Sequence, residues 1–253
     1  MKLKANGLLV LLTIILISFN QTAKADIYKQ ALSNSARSET ETKVDKKRKP
    51  DEVLRFFEIK SGMKVFDVFA GGGYYSEILS YVVGPKGSVT LYNNQPWDNY
   101  VNKAVAARLK DNRLPNVKNY VEKPEELTKH REKYDAAIFI LGMHDLYYAD
   151  PEVRWPEIDK MKFLKGIHSI LKPGAVLGVI DANAVEGADN QLVGKKLHRV
   201  DPKVLIKDLV AAGFVFDSES NILRNKDDDL VSSVFEPKNK YNTDRSVLKF
   251  RKK

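Results

Sequence analysis

The segment from Met63 to Tyr92 constrains the fold more than any other. Met63 to Ala70 is largely apolar, as a buried strand requires, and it runs directly into Gly71-Gly72-Gly73. A helical stretch from Tyr74 to Val83 follows, Pro85 and Gly87 punctuate the return, and Val89 to Tyr92 gives a second short strand. Strand, glycine turn, helix and strand make a βαβ unit, which points to a layered α/β fold.

The same alternation continues along the chain. A helix is predicted around Tyr100 to Lys110, strands at Val117 to Val121 and Ala136 to Leu141, and a helix from Pro156 to Leu171 that ends at Lys172-Pro173-Gly174. Ala175 to Ile180 reads as a strand, Asp201 caps a helix opening with Pro202, and Phe214 to Phe216 is the next strand. Val231 to Phe235 and Ser246 to Phe250 are expected to pair antiparallel at one edge of the sheet. No internal repeat or second core is visible, so residues 50–253 read as one domain.

The N-terminus differs in composition. Lys2 and Lys4 precede an apolar run from Leu8 to Ile17, and Ala23-Lys24-Ala25 follows, the order of a secretory signal peptide with cleavage before Asp26. The run is shorter than the ~20 residues of a bilayer span. Loss of residues 1–25 removes three of the 42 basic residues and none of the 33 acids, which takes the net charge from +9 to +6. The expected location is periplasmic or extracellular, and the absence of cysteine fits an oxidising compartment while excluding disulfides and thiol chemistry. Residues 26–49 form a polar, basic leader, either mobile or a helix lying across the domain surface. No dense basic and aromatic surface marks a nucleic-acid partner.

Polar residues gather where strands end. Closely spaced glycines let backbone approach a ligand, and Asp67, inside the preceding strand, needs a partner such as the N–H groups of that turn. The fourth strand runs into Leu141-Gly142-Met143-His144-Asp145-Leu146-Tyr147-Tyr148. His144 can exchange a proton near neutral pH, Asp145 can fix a ring or a hydroxyl, and Tyr147 and Tyr148 can shape an aromatic substrate pocket. Asp181 follows the fifth strand, at the edge where open sheets bind ligands. His198 and Arg199 precede the Asp201-Pro202 helix start, with Arg199 able to hold an acidic substrate. His144, Asp145, Asp181 and His198 lie too far apart in sequence for a local metal motif, so no metal is expected. Asp227-Asp228-Asp229 reads as a solvated acidic turn.

The stretch Val65-Phe66-Asp67-Val68-Phe69-Ala70-Gly71-Gly72-Gly73-Tyr74-Tyr75-Ser76 resembles the first motif of class I S-adenosylmethionine-dependent methyltransferases, and Leu171-Lys172-Pro173-Gly174-Ala175 resembles their post-helix turn. Within that family the chain looks most like predicted exported bacterial methyltransferases. The resemblance implies a three-layer Rossmann-like fold with a mostly parallel seven-stranded sheet and one antiparallel strand near the C-terminus. It implies S-adenosylmethionine as cofactor, with Asp67, Gly71 and Gly73 against its methionine portion and ribose, and Glu122 at the adenine amino group. Asn93-Asn94 stands where the family usually has a ribose-binding acid, and Phe69 where it commonly has glycine. The implied reaction is methyl transfer to a small or lipid-like acceptor, with His144 taking the acceptor proton. A non-enzymatic extracytoplasmic binding or assembly protein on the same scaffold stays open, as does a dinucleotide enzyme.

Overall fold

Seven strands lie side by side in the order β3-β2-β1-β4-β5-β7-β6 in a computed structural model that describes residues 26–253. The strands are β1 (Lys64–Val68), β2 (Ser88–Asn93), β3 (Val117–Val121), β4 (Tyr134–Ile140), β5 (Leu171–Ala182), β6 (Phe214–Ser220) and β7 (Arg245–Lys252). The pairs from β3 through β5 are parallel, and β7 runs antiparallel to both β5 and β6. The α/β class, the seven strands and the single reversed strand agree with the expectation from sequence. The predicted signal peptide lies outside the described residues.

Alternation along the strands divides the core into two layers. Val65, Val89, Ala136, Ile138, Val176 and Val247 point to one face, where α3 (Pro50–Phe56) and α4 (Tyr74–Val83) cover them with Val53, Leu54, Ile78 and Leu79. Phe66, Val68, Ala137, Phe139, Leu177 and Leu248 point to the other, under α6 (Lys160–Ile170) and α8 (Pro202–Ala211). A continuous apolar run with a two-residue period is what a strand buried on both faces needs.

Three sequence expectations are corrected. Val231 to Phe235 forms no strand: the Asp229 carboxylate gathers the Val231 and Ser232 N–H groups and the Ser232 hydroxyl, which turns the chain back on itself, and β6 takes the place beside β7. The helix expected from Pro156 begins at Lys160, because Asp159 supplies its cap by accepting the Lys162 N–H at 2.9 Å. Of the two alternatives for the leader, it takes the helical one, lying on the domain as α1 (Ile27–Leu32) and α2 (Glu39–Arg48), with Tyr28 and Ala31 joining the core and the Tyr28 hydroxyl donating to the Ile59 carbonyl at 2.8 Å. Finally, the Asp228 side chain is buried rather than solvated, on the guanidinium of Arg199. No described helix is long and apolar enough to cross a membrane.

Candidate active site

The carboxyl ends of β1, β2, β4 and β5 converge on one edge of the sheet. At the end of β1, Asp67 is 2% exposed and accepts the Ser76 hydroxyl at 2.6 Å. Burial pushes its carboxyl up to about 7, against the pull of the Ser76 hydrogen bonds and the Arg108 charge. The turn that follows has Gly71 and Gly73 at φ +57° and +82°, which favours glycine at both. A Cβ on Gly73 would lie 2.7 Å from Leu91 Cδ1, whereas one on Gly71 would meet nothing within 4 Å. Gly73 therefore serves packing, and Gly71 leaves open space.

Asn93 is spent on this turn. Its side-chain oxygen accepts the Gly71 N–H and its amide nitrogen donates to the Gly71 carbonyl, each at 3.0 Å. The neighbouring Asn94 caps α5 (Gln95–Leu109) through its oxygen, which accepts the Trp97 N–H at 3.0 Å, while its Nδ2 is buried with no partner among the described residues. Thus Asn94, not the expected Asn93, has a donor to offer. Glu122, just past β3, turns one carboxylate oxygen onto the Lys123 N–H at 2.8 Å. Phe69 leaves the turn for the core, stacking on Phe163 and Tyr92 with centroids 5.2 and 5.8 Å away.

Beyond the turn opens a cleft of about 890 Å³. Trp97, Tyr100, Tyr148, Trp155 and Phe235 give it aromatic walls, and Arg48 and Arg245 add positive charge. Neither arginine forms an ion pair among the described residues. Arg245 is 5% exposed, and burial, with Arg48 nearby, presses it down to about 10, so it stays cationic at neutral pH. Both tryptophans of the chain stand here, the sequence signal that could have located the cleft. Arg48 and Arg245 carry no such signal, because the leader and the final strand meet only in the fold.

His144 opens a short 3-10 turn, His144–Tyr147, after β4. Its backbone N–H donates to Asp181 Oδ2 and its Nδ1 bonds Asp181 Oδ1, both at 2.9 Å, and its Nε2 lies 3.2 Å from His198 Nδ1 and 3.4 Å from Asp145 Oδ1. Burial alone would lower the His144 pKa, but the Asp181 and Asp145 charges and the Asp181 hydrogen bond outweigh it and raise it to about 9. His198 moves the other way, down to about 4, through burial first and the adjacent His144 charge second. Burial raises Asp145, against His144 and the Tyr148 hydroxyl, which donates to Asp145 Oδ1 at 2.8 Å. Among the described residues Asp145 Oδ2 and Trp97 Nε1 are both buried without a well-formed hydrogen bond, and the indole N–H lies close enough to pull the Asp145 carboxyl down.

His144, Asp145, Tyr148 and His198 thus share the cleft, with Asp181 behind His144. Three expected substrate residues do not face it: Asp181, which holds His144 from behind, Arg199 and Tyr147. Arg199 is fully buried, with both terminal nitrogens on Asp228 at 2.8 Å and further bonds to the Asn183 and Ser232 carbonyls. Tyr147 donates its hydroxyl to Asp208 at 2.7 Å, and it is absent from the cleft wall. His144 has no free ring nitrogen, so the resting arrangement does not present it as a proton acceptor.

No family model matches the sequence, and no curated protein matches it. Solved structures do match. A SAM-dependent methyltransferase from Aquifex aeolicus superposes with TM-score 0.54 at 20% identity over 82% of this chain and 98% of its own. A TehB-like SAM-dependent methyltransferase from Corynebacterium glutamicum gives 0.51 at 13% identity over 81% and 87%. The [4+2]-cyclase SpnF gives 0.54 at 15% over 81% of each chain. These likenesses establish the fold that SAM-dependent methyltransferases use, and a cyclase has it as well.

Proposed function

We propose that the chain is an S-adenosylmethionine-dependent methyltransferase acting on a small or lipid-like acceptor. The observation that carries this reading is the pairing of open space over Gly71 with the unpartnered, buried Asn94 Nδ2 at the neighbouring strand end. A cradle that backbone can approach, next to a donor without an acceptor, fits a cofactor with a polar methionine end and ribose hydroxyls. When bound, S-adenosylmethionine supplies an electrophilic sulfonium methyl group. Gly71 would lie along its methionine portion, with Gly73 packing the turn behind it, Asn94 would donate to a ribose hydroxyl, and Glu122 would keep its second oxygen for the adenine amino group. Asp67 and Asn93 act one step back, on Ser76 and Gly71, by fixing the turn.

The cleft supports the choice of acceptor. Its rim exposes Phe235 at 72% and Tyr100 at 65%, which suits an amphipathic molecule, and Arg48 with Arg245 suits an acidic group on it. Tyr148, His144, Asp145 and His198 stand where they can orient the acceptor, and alignment with exclusion of water contributes much of the rate in a direct displacement. The signal-like residues 1–25 support an exported location.

Calorimetric titration of the purified chain with S-adenosylmethionine and S-adenosylhomocysteine, beside a nicotinamide dinucleotide, tests the reading. Selective binding of the first two, abolished by Gly71→Asp, is expected. A folded chain that binds none of them would favour the non-enzymatic binding protein, the reading that Phe69 in the core and Asn93 locked onto Gly71 support.

A further inference from the structure

We infer that His144, Asp145 and His198 hold a divalent transition-metal ion in the cleft. One ligand atom from each lies within 4.8 Å of the others. Two of the edges, 3.2 Å from His144 Nε2 to His198 Nδ1 and 3.4 Å to Asp145 Oδ1, match those of a coordination polyhedron. Two ligands about 2.0–2.1 Å from a shared ion at the tetrahedral angle stand about 3.3 Å apart. The first edge is also that of a hydrogen-bonded imidazole pair and the second that of a His144–Asp145 ion pair; one shared ion accounts for both.

The surroundings are those of a metal site. Asp145 Oδ2 is a buried carboxylate oxygen that completes no hydrogen bond among the described residues, with the Trp97 indole N–H close by, and a bound cation would satisfy it. The far nitrogen of His144 is held by Asp181 at 2.9 Å, the outer carboxylate that commonly fixes the ring of a ligating histidine. His198 is set in a left-handed conformation, φ +53°, at the end of α7 (Asn190–Leu197), and the next residue, Arg199, is locked onto Asp228. The left-handed residue is the C-cap of α7, its N–H on the Gly194 carbonyl, and this fixes where the ring leaves the helix.

Two imidazoles and one carboxylate select zinc, iron(II), cobalt(II) or manganese(II) over calcium and magnesium, which prefer all-oxygen cages. Three protein ligands also leave coordination positions open, and the cleft wall that includes all three residues directs those positions to its interior. The ion would there take water or an oxygen atom of a bound molecule.

The test is titration of the full metal-free chain with cobalt(II), read by visible d–d absorption and calorimetry. One equivalent per chain is expected, displaced by zinc with loss of the colour. His198→Asn suits the left-handed backbone and removes the imidazole, and Asp145→Asn removes the charge; each should weaken binding at least tenfold with unfolding midpoints close to the parent's. Asp181→Asn should weaken it by about 10–100-fold through the outer contact. His130→Ala and His168→Ala, remote from the cleft, should leave it unchanged. A folded chain that shows no stoichiometric band, or one whose band survives both His198→Asn and Asp145→Asn, overturns the site. Cobalt binding without S-adenosylmethionine binding would support the metal site while removing the cofactor reading.

Discussion

Asp181 grips His144 at two points, accepting its backbone N–H on one carboxylate oxygen and its Nδ1–H on the other, both at 2.9 Å. The end of β5 thereby fixes the turn after β4, and the ring orientation follows from the sheet rather than from the loop. Asp181→Asn keeps the shape but turns one acceptor into a donor. Because both bonds are buried and both are accepted by the Asp181 carboxylate, we expect a loss of about 1.5–3 kcal/mol in urea unfolding. An unchanged midpoint would mean that the second contact carries no energy.

Arg199 and Asp228 form an ion pair with both side chains fully out of solvent. Removing one partner leaves an uncompensated buried charge, so Asp228→Ala should cost about 3–5 kcal/mol in equilibrium unfolding, far more than at an exposed pair. The same pair gives a pH signature. Asp228 is held below its usual range: burial would raise it, and the hydrogen bonds from Arg199 and the Asp244 and Leu230 N–H groups overcome that. Its contribution is complete above the ordinary carboxylate value near 3.8 and is lost as acid takes the pH below that value. The parent's acid unfolding should therefore show a component that Asp228→Ala lacks.

These contacts also explain what could be read from the sequence. The glycine turn, the strand-helix-strand unit around it and the placement of His144, Asp145 and Asp181 at strand ends follow from local patterns and one topological rule, since open sheets bind at their carboxyl edge. Side-chain direction does not. Arg199 and His198 are adjacent, yet the left-handed backbone at His198 sends one ring to the cleft and leaves the guanidinium for a loop residue 29 positions away. Asn93 and Asn94 differ in role because one lies on β2 beside Gly71 and the other caps α5. The pairing of Arg48 with Arg245 depends on contact between the first and last parts of the described chain, which no local pattern encodes.

Asp67 predicts a second, opposite pH dependence. Its folded pKa of about 7 lies above the ordinary 3.8, so the folded chain keeps this proton where the unfolded chain has released it. Stability from this group is fully present below about 3.8, falls as pH rises through the interval, and is flat above about 7. Three pKa units correspond to on the order of 4 kcal/mol at most. Asp67→Asn is neutral throughout, so the stability difference between it and the parent should change across pH 4–7 and become constant above. A difference independent of pH would place the Asp67 carboxyl in its ordinary range.

Gly71 and Gly73 separate a binding role from a packing role within one turn. Both sit at positive φ, so alanine at either pays a left-handed penalty of about 1–2 kcal/mol. At Gly73 the new methyl also meets Leu91 Cδ1 at 2.7 Å and Arg108 Cδ at 3.0 Å, and Arg108 is not free to yield, since it donates to the Gly72 carbonyl and pairs with Glu41 and Glu77. Gly73→Ala should therefore lower the unfolding free energy by clearly more than Gly71→Ala, about 1–3 kcal/mol more from the overpacking. Gly71→Ala meets nothing within 4 Å in the folded chain, and its methyl enters the space assigned to the cofactor. It should fold with a modest loss and bind S-adenosylhomocysteine at least tenfold more weakly in calorimetry. Equal affinity in Gly71→Ala and the parent would move the cofactor away from this turn, whatever the stability data gave.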